Sequence, residues 1–159
     1  MIKDIDHNSR YIQELTKISS STINYTEIIN SHNIARLASV DEAGIPLTVP
    51  ICFVYKGEFI YSPIDAKPKT KEIKKLKRLR NIENNPRVSF IVDKYSDDWT
   101  ELYYIIVQGT AEVLIEGEEY NNSIKALCGK YEQYSKMGLM QLGLPVIKIT
   151  PNKIISWGN

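Results

Sequence analysis

The chain has 159 residues, a length that suits one domain whose hydrophobic core needs neither disulfides nor a structural metal. Hydrophobic residues make up 43% and charged residues 25%, no stretch approaches the roughly 20 apolar residues of a membrane span, and the N-terminus lacks a secretory signal, so we expect a cytoplasmic protein without a membrane segment. The net charge of +1 argues against a whole-protein polyanion binder.

The first part of the chain predicts a helical segment followed by three antiparallel strands. Residues 1–30 form the helical segment, with spaced apolar positions at Ile12, Leu15 and Ile18. β-branched and aromatic residues then predict three strands, over residues 34–40, 45–55 and 58–62. A turn that contains a glycine joins the first two strands, and Lys56-Gly57 joins the second to the third.

The rest of the chain predicts helices inserted between further strands. Apolar residues spaced by three predict a helix over residues 69–84, which ends before Pro86. Gly109 interrupts a long strand and marks a bulge or bend. The remaining elements are strands over 87–93, 100–116 and 146–157 and a helix over 118–136. Six strands with inserted helices favour a mainly β fold with α additions, an antiparallel barrel with its core at 34–116, in one domain over 1–159.

A dense patch of basic residues follows the third strand. Between Lys67 and Arg80, eight lysines and arginines stand against the single acid Glu72. The N–H groups at a helix start lack partners within the helix and attract anions, and lysine and threonine side chains add charge and hydrogen bonds. We therefore predict a phosphate site from the residues at this bend, Lys67, Lys69 and Thr70, and interpret Lys74, Lys75 and Lys77 as a solvated helix face.

Other classes of site find less support in the residues. His7 and His32 have no carboxylate or cysteine at ligand spacing, so we expect no metal, and Cys52 and Cys128 share no metal-ligand spacing. Trp99 and Trp157 could flank a flat heteroaromatic ring or could be structural. A basic helix with exposed tyrosines also allows nucleic-acid binding, which the net charge of +1 weakens.

Several short motifs occur in a characteristic order. They are Ala35-Arg36-Leu37-Ala38-Ser39-Val40, Gly44-Ile45-Pro46, Val49-Pro50, Asp65-Ala66-Lys67-Pro68-Lys69, Asn81-Ile82, Asn85-Pro86-Arg87-Val88, Asp98-Trp99 and Gly109-Thr110-Ala111. This order resembles the pyridoxamine 5′-phosphate oxidase-like family of FMN-binding split barrels, especially its deazaflavin-dependent branch. The similarity runs from about Ile28 to Glu116.

The resemblance implies a six-stranded antiparallel split β-barrel that forms a homodimer, with two cofactor sites at the subunit interface. The phosphate contacts of the family fall on Ser62, Lys67, Lys69 and Thr70. The backbone at Val49 and Pro50 would lie against the isoalloxazine ring, with Trp99 at the edge of the ring.

The activity implied by the resemblance is two-electron transfer between the bound cofactor, FMN or coenzyme F-420, and a small organic substrate. The deazaflavin F-420 is the favoured cofactor, and no side-chain acid or base is assigned a catalytic role. The chain ends Ile155-Ser156-Trp157-Gly158-Asn159, without the Arg- and His-containing segment of true pyridoxamine phosphate oxidases, which argues against vitamin B6 phosphate as substrate. A non-catalytic carrier or sensor of the same cofactor is the alternative.

Overall fold

The computed structural model describes residues 25–64 and 76–158 of the chain. The strands in these ranges are β1 (Ala35–Val40), β2 (Pro46–Ile51), β3 (Val54–Lys56), β4 (Phe59–Pro63), β5 (Arg87–Lys94), β6 (Tyr103–Leu114) and β7 (Val146–Gly158). The α-helices are α1 (Tyr25–Ser31), α2 (Lys77–Asn84), α3 (Glu118–Lys130) and α4 (Glu132–Lys136). The predicted helical segment before Tyr25 and residues 69–75 of the predicted 69–84 helix fall outside the described residues. The described part of that helix begins only at Lys77, because the backbone of Leu76 is extended (φ −65°, ψ 123°).

The β1–β2 hairpin shows how local sequence sets the register of the sheet. The Asp41 carboxylate accepts hydrogen bonds from the backbone N–H groups of Ala43 and Ile45, at 3.1 and 2.8 Å. Gly44 supplies the positive φ of 78° that closes the turn. Val40 therefore pairs with Pro46, and the alternation of side chains along both strands follows from this pairing.

All seven strands form one sheet in the order β2-β1-β5-β6-β7-β4-β3, and each neighbouring pair is antiparallel. β2 and β3 stand at opposite ends of this order, yet only Cys52 and Phe53 separate them in the chain. A link of this length spans at most about 11 Å. The sheet must therefore curl until its two end strands meet, as in a split barrel.

The prediction of six strands was wrong, because the predicted strand over residues 45–55 is two strands. β2 pairs with β1 as far as Ile51, and β3 pairs with β4 from Val54 onward. At the break, the backbone N–H of Phe53 donates to the side-chain hydroxyl of Tyr131 at 2.9 Å instead of joining a ladder. The described part of the sheet therefore has seven strands.

The concave face of the sheet holds the main hydrophobic core. Phe53 and Phe90 are fully buried and meet edge to face, with ring centroids 4.8 Å apart. Burying one such side chain contributes about 1.5–3 kcal/mol. A second cluster lies beneath α3 and α4 and contains Tyr61, Tyr120, Ile124, Leu127, Tyr131, Tyr134, Leu139 and Val146.

The bulge predicted at Gly109 is present. Gln108 pairs with Lys153 and Gly109 pairs with Pro151, which leaves Asn152 as an extra residue on β7. A Cβ at position 109 would lie 2.2 Å from the backbone oxygen of Thr150. Only glycine fits this close approach of two backbones.

Two local predictions differ from the structure. The helix predicted over residues 118–136 is divided at Tyr131, whose backbone is extended (φ −124°, ψ 103°). The strand predicted from residue 100 begins only at Tyr103, because Trp99–Glu101 form a short 3-10 turn. Asp98 caps this turn, and its carboxylate accepts from the N–H of Thr100 at 3.0 Å. Within residues 25–64 and 76–158, no helix is long and apolar enough to cross a membrane.

Candidate cofactor site

Val49 and Pro50, the predicted ring contacts, precede the link between β2 and β3. Ser62, the predicted phosphate contact that lies within the described residues, follows this link. Val49 packs against the core from β2, whereas Pro50 is exposed on the opposite face of the same strand. Ser62 is the penultimate residue of β4 and has 1% of its surface exposed. Because Tyr61 pairs with Val54, Ser62 lies beside the link. The curl of the sheet thus brings β2 and the end of β4 to one region.

The predicted phosphate ligands of the bend lie outside the described residues, but the helix that follows them is anchored to the barrel. The buried Asn81 side chain on α2 donates to the buried Ser39 hydroxyl on β1 at 3.1 Å. Lys77 forms an ion pair of 3.1 Å with Asp41 in the hairpin turn. The pKa of Asp41 is lowered first by the hydrogen bond from Ile45 and then by the one from Lys77. The predicted phosphate ligands outside the described residues are Lys67, Lys69 and Thr70.

Trp99 lies away from Ser62 along the sheet. Ser62 pairs with Ile147, which pairs with Val113 near the end of β6, whereas Trp99 precedes Tyr103 at the start of β6. Most of β6 separates the two positions, roughly 30 Å at about 3.3 Å per residue. The Trp99 side chain is 77% exposed. A single chain therefore presents these two predicted residues near opposite ends of the long β6–β7 pair.

Tyr131 braces the link between β2 and β3, and the sequence prediction missed this residue. Its hydroxyl oxygen accepts from the Phe53 N–H at 2.9 Å and lies 2.9 and 2.8 Å from the backbone oxygens of Asn33 and Phe53, either of which can accept its proton. Burial raises the pKa of Tyr131 to about 12, and the hydrogen bond with Phe53 opposes the rise. The hydroxyl thus stays protonated and bridges the backbone N–H of Phe53 to one of the two nearby backbone oxygens.

Two further side chains complete the brace. The Lys130 ammonium donates to the backbone oxygen of His32 at 2.7 Å and lies 4.0 Å above the Phe53 ring. Burial lowers the pKa of Lys130 to about 8. The Asn30 amide bonds both backbone groups of Tyr55, at 2.7 and 2.9 Å. No sequence pattern marks these residues, because their partners lie far away along the chain.

The outer face of the sheet carries an apolar row that includes Pro50. The register aligns one residue from each of five neighbouring strands: Pro50, Arg36, Ile91, Ile106 and Ile155. At the end of the same face, the Tyr104 and Trp157 rings stack with centroids 6.0 Å apart, and Trp157 is 45% exposed. Apart from Arg36, the row has no charge.

A cleft of about 470 Å³ adjoins the apolar row. Its lining combines the apolar side chains of Val40, Pro46 and Val88 with small or hydrogen-bonding residues and two cations, Arg87 and Lys153. The lining includes Ala38, Ser89, Gln108, Thr110 and Asn152.

The chemistry of the donor set fits a ring cofactor with a phosphate. β2 ends the described sheet, so its outer edge has no strand partner among the described residues. Such an edge presents backbone acceptors, and donors except at Pro46 and Pro50, that can pair with the hydrogen-bonding edge of a flat heterocycle. The buried Ser62 hydroxyl is followed in the sequence by two lysines and a threonine, and these residue types are the donors that would suit a phosphate.

The curled antiparallel sheet with inserted helices defines a split-barrel protein. The family model described as pyridoxamine 5′-phosphate oxidase matches residues 21–158, so the chain belongs to this family. No match is found among curated protein sequences.

Solved structures share the fold. A conserved hypothetical protein from Mycobacterium tuberculosis is 20% identical with a TM-score of 0.71, covering 89% of this chain and 86% of its own. The heme storage protein HutZ from Vibrio cholerae is 19% identical with a TM-score of 0.65, covering 81% and 89%. An FAD-binding protein from Mesorhizobium loti is 19% identical with a TM-score of 0.65, covering 86% and 93%. At these identities, the likeness shows the fold alone.

Proposed function

We propose that the protein is an oxidoreductase that binds FMN or coenzyme F-420 and transfers two electrons between this cofactor and a small organic substrate. The observation that carries the proposal is the two-residue link between β2 and β3, which sets the open edge of β2 beside Ser62; the lysine-rich segment follows Ser62 in the sequence. The ring would lie along β2 at Val49 and Pro50, and the phosphate at the bend.

The cofactor itself supplies the redox chemistry, and the protein would bind and orient it. Family membership and the FAD-binding protein of the same fold support a flavin-type cofactor. The preference for F-420 over FMN rests on the order of the sequence motifs. An absorption spectrum of the protein as isolated separates the two, because a flavin and a deazaflavin absorb at different wavelengths.

We further propose that two copies of the chain pair through the outer face and complete two cofactor sites. The apolar row of Pro50, Ile91, Ile106 and Ile155 and the exposed Trp157 supply the kind of apolar surface that homodimers bury. Pairing would also let Trp99 of one copy approach the cofactor bound at Ser62 of the other. This arrangement would account for their separation within one chain.

A fluorescence titration with FMN and with F-420 tests the binding proposal. The Lys67→Ala/Lys69→Ala variant should bind the cofactor more weakly by on the order of 2–4 kcal/mol, since each charge-assisted hydrogen bond contributes about 1.5–3 kcal/mol. Lys136→Ala, which removes an exposed lysine on α4, is the control and should bind like the wild type. Unchanged affinity in the double variant would reject the phosphate site, and no binding by the wild type would reject the function.

A non-catalytic carrier or sensor is the second candidate. The specific observation in its favour is that the heme storage protein HutZ has the same fold. Such a protein would bind the cofactor, yet the reduced cofactor would be oxidised only at its uncatalysed rate across a panel of organic acceptors. Faster oxidation with any acceptor in the panel would favour the oxidoreductase.

A further inference from the structure

The Arg36–Asp93 ion pair lies on the outer face next to the proposed ring position. Arg36 stands directly across the β1–β2 ladder from Pro50, where Cβ atoms are about 4.5–5.5 Å apart. Its guanidinium donates to the Asp93 carboxylate at 2.7 Å. The two side chains are 51% and 42% exposed. The positive charge of Arg36, paired with the Asp93 carboxylate, therefore lies within a side chain's length of Pro50.

The other residues of the apolar row carry no charge that would neutralise Arg36. Its two neighbours in the row are Pro50 and Ile91, and the next residue along is Ile106. Both side chains are about half exposed, so water and salt screen their charges and confine the effect to short range. The net field at the row therefore depends on how the Arg36 charge and the Asp93 charge balance.

The two charges already act in opposite directions on a third group. The pKa of His32 is lowered mainly by burial; Asp93 raises it, whereas Lys130 and Arg36 lower it. His32 lies just before β1, and its ring is 2.8 Å from the Tyr103 hydroxyl. The charges of the pair thus reach beyond the pair itself, with opposite signs.

We propose that the Arg36–Asp93 pair tunes the reduction potential of the bound cofactor, with Arg36 stabilising the reduced form and Asp93 limiting that effect. The proposal rests on the proposed function, since it needs a cofactor ring at β2. Two-electron reduction with uptake of one proton adds one negative charge to the ring. A nearby positive charge therefore favours the reduced state, and a nearby negative charge favours the oxidised state.

The test is the midpoint potential of bound FMN, or of bound F-420 if FMN does not bind, measured by equilibration with a reference dye. Arg36→Gln should raise the ratio of the dissociation constants of reduced and oxidised cofactor by about two- to tenfold, for a half-exposed unit charge about 10 Å from the ring. Tenfold corresponds to about 30 mV for a two-electron couple. The potential should fall in this variant and rise by a similar amount in Asp93→Asn.

Matched controls come from the exposed Glu132–Lys136 pair on α4, whose side chains are 2.8 Å apart. Lys136→Gln and Glu132→Gln change the charge by the same amounts but should leave the potential unchanged. The double variant Arg36→Gln/Asp93→Asn should return the potential toward the wild-type value, because its net charge is that of the wild type.

The outcomes separate this inference from the proposed function. If the wild type binds neither cofactor, the function fails and the inference falls with it. If the wild type binds a cofactor but the Arg36 and Asp93 variants match the controls, only the inference is overturned. Shifts of the same sign in both single variants would also overturn it, because they would indicate a structural disturbance instead of an effect of charge.

Discussion

Replacing Tyr131 by Phe isolates the hydroxyl that braces the link between β2 and β3. The ring remains to pack against Tyr134, 5.3 Å away between centroids, so the change removes little apolar contact. What is lost is the acceptor for the N–H of Phe53, a residue with no exposed surface. An unpaired buried donor costs about 1–3 kcal/mol, and the proton that Tyr131 donates to a backbone oxygen is lost as well. We expect a destabilisation of about 2–3 kcal/mol.

Urea unfolding followed by circular dichroism measures this effect, and a thermal scan gives a second reading. In a chain of this length, 1 kcal/mol lowers Tm by about 2–4 °C, so the expected fall is about 4–12 °C. Tyr95→Phe is the control, since Tyr95 is 75% exposed and its hydroxyl is 3.4 Å from the Asp97 carboxylate. A free energy of unfolding within about 0.5 kcal/mol of the wild type for Tyr131→Phe would refute the brace.

Three further predictions concern the bulge, the buried ammonium and the outer face. Gly109→Ala forces a Cβ against the Thr150 backbone and should destabilise the fold by about 1–3 kcal/mol or more in the same urea assay; a neutral effect would contradict the close approach. The pKa of Lys130 falls from 10.5 unfolded to about 8 folded, so between these values the unfolded state binds more protons and stability rises with pH. The unfolding free energy of the wild type minus that of Lys130→Met should therefore increase from pH 8 to pH 10, and a flat difference would count against the burial of this charge. Ile106→Lys should give a monomer by light scattering, whereas Ile115→Lys, at an exposed position after β6, should leave the dimer intact; a dimeric Ile106→Lys variant would remove the outer face from the proposed interface.

Local patterns in the sequence predict much of the sheet, because they carry its turns and its alternation. The turn before Gly44 and the interruption at Gly109 both mark features that the structure contains. The break at Cys52 and Phe53 has no such mark, since the run from 45 to 55 stays β-branched and aromatic throughout. What breaks it is the Tyr131 hydroxyl, a contact across 78 residues that no local pattern encodes.

The candidate site also combines features that the sequence predicts with features that depend on contacts between distant residues. The family resemblance assigns Ser62 to the phosphate contacts, near the end of a strand that a sequence pattern predicts; its position on β4 agrees with that strand, and its phosphate contact stays a prediction. The placement of Trp99 relative to Ser62 could not be predicted, because it depends on the register of β6 with β7 and β7 with β4. Arg36 is visible in the sequence only as an outward position of β1, and its ion pair with Asp93 needs the β1–β5 register.

The extra residue at Asn152 decides which side chains β7 shows to the outside. Before it, Ile147 and Ile149 point into the core, so odd-numbered residues are internal. After it, Ile154 packs on the core while Ile155 and Trp157 turn outward, because one additional residue reverses the alternation. Deleting a single residue here would exchange the two faces, burying an indole and exposing the core. The number of residues in β7, as well as their identity, therefore determines which side chains form the outer surface.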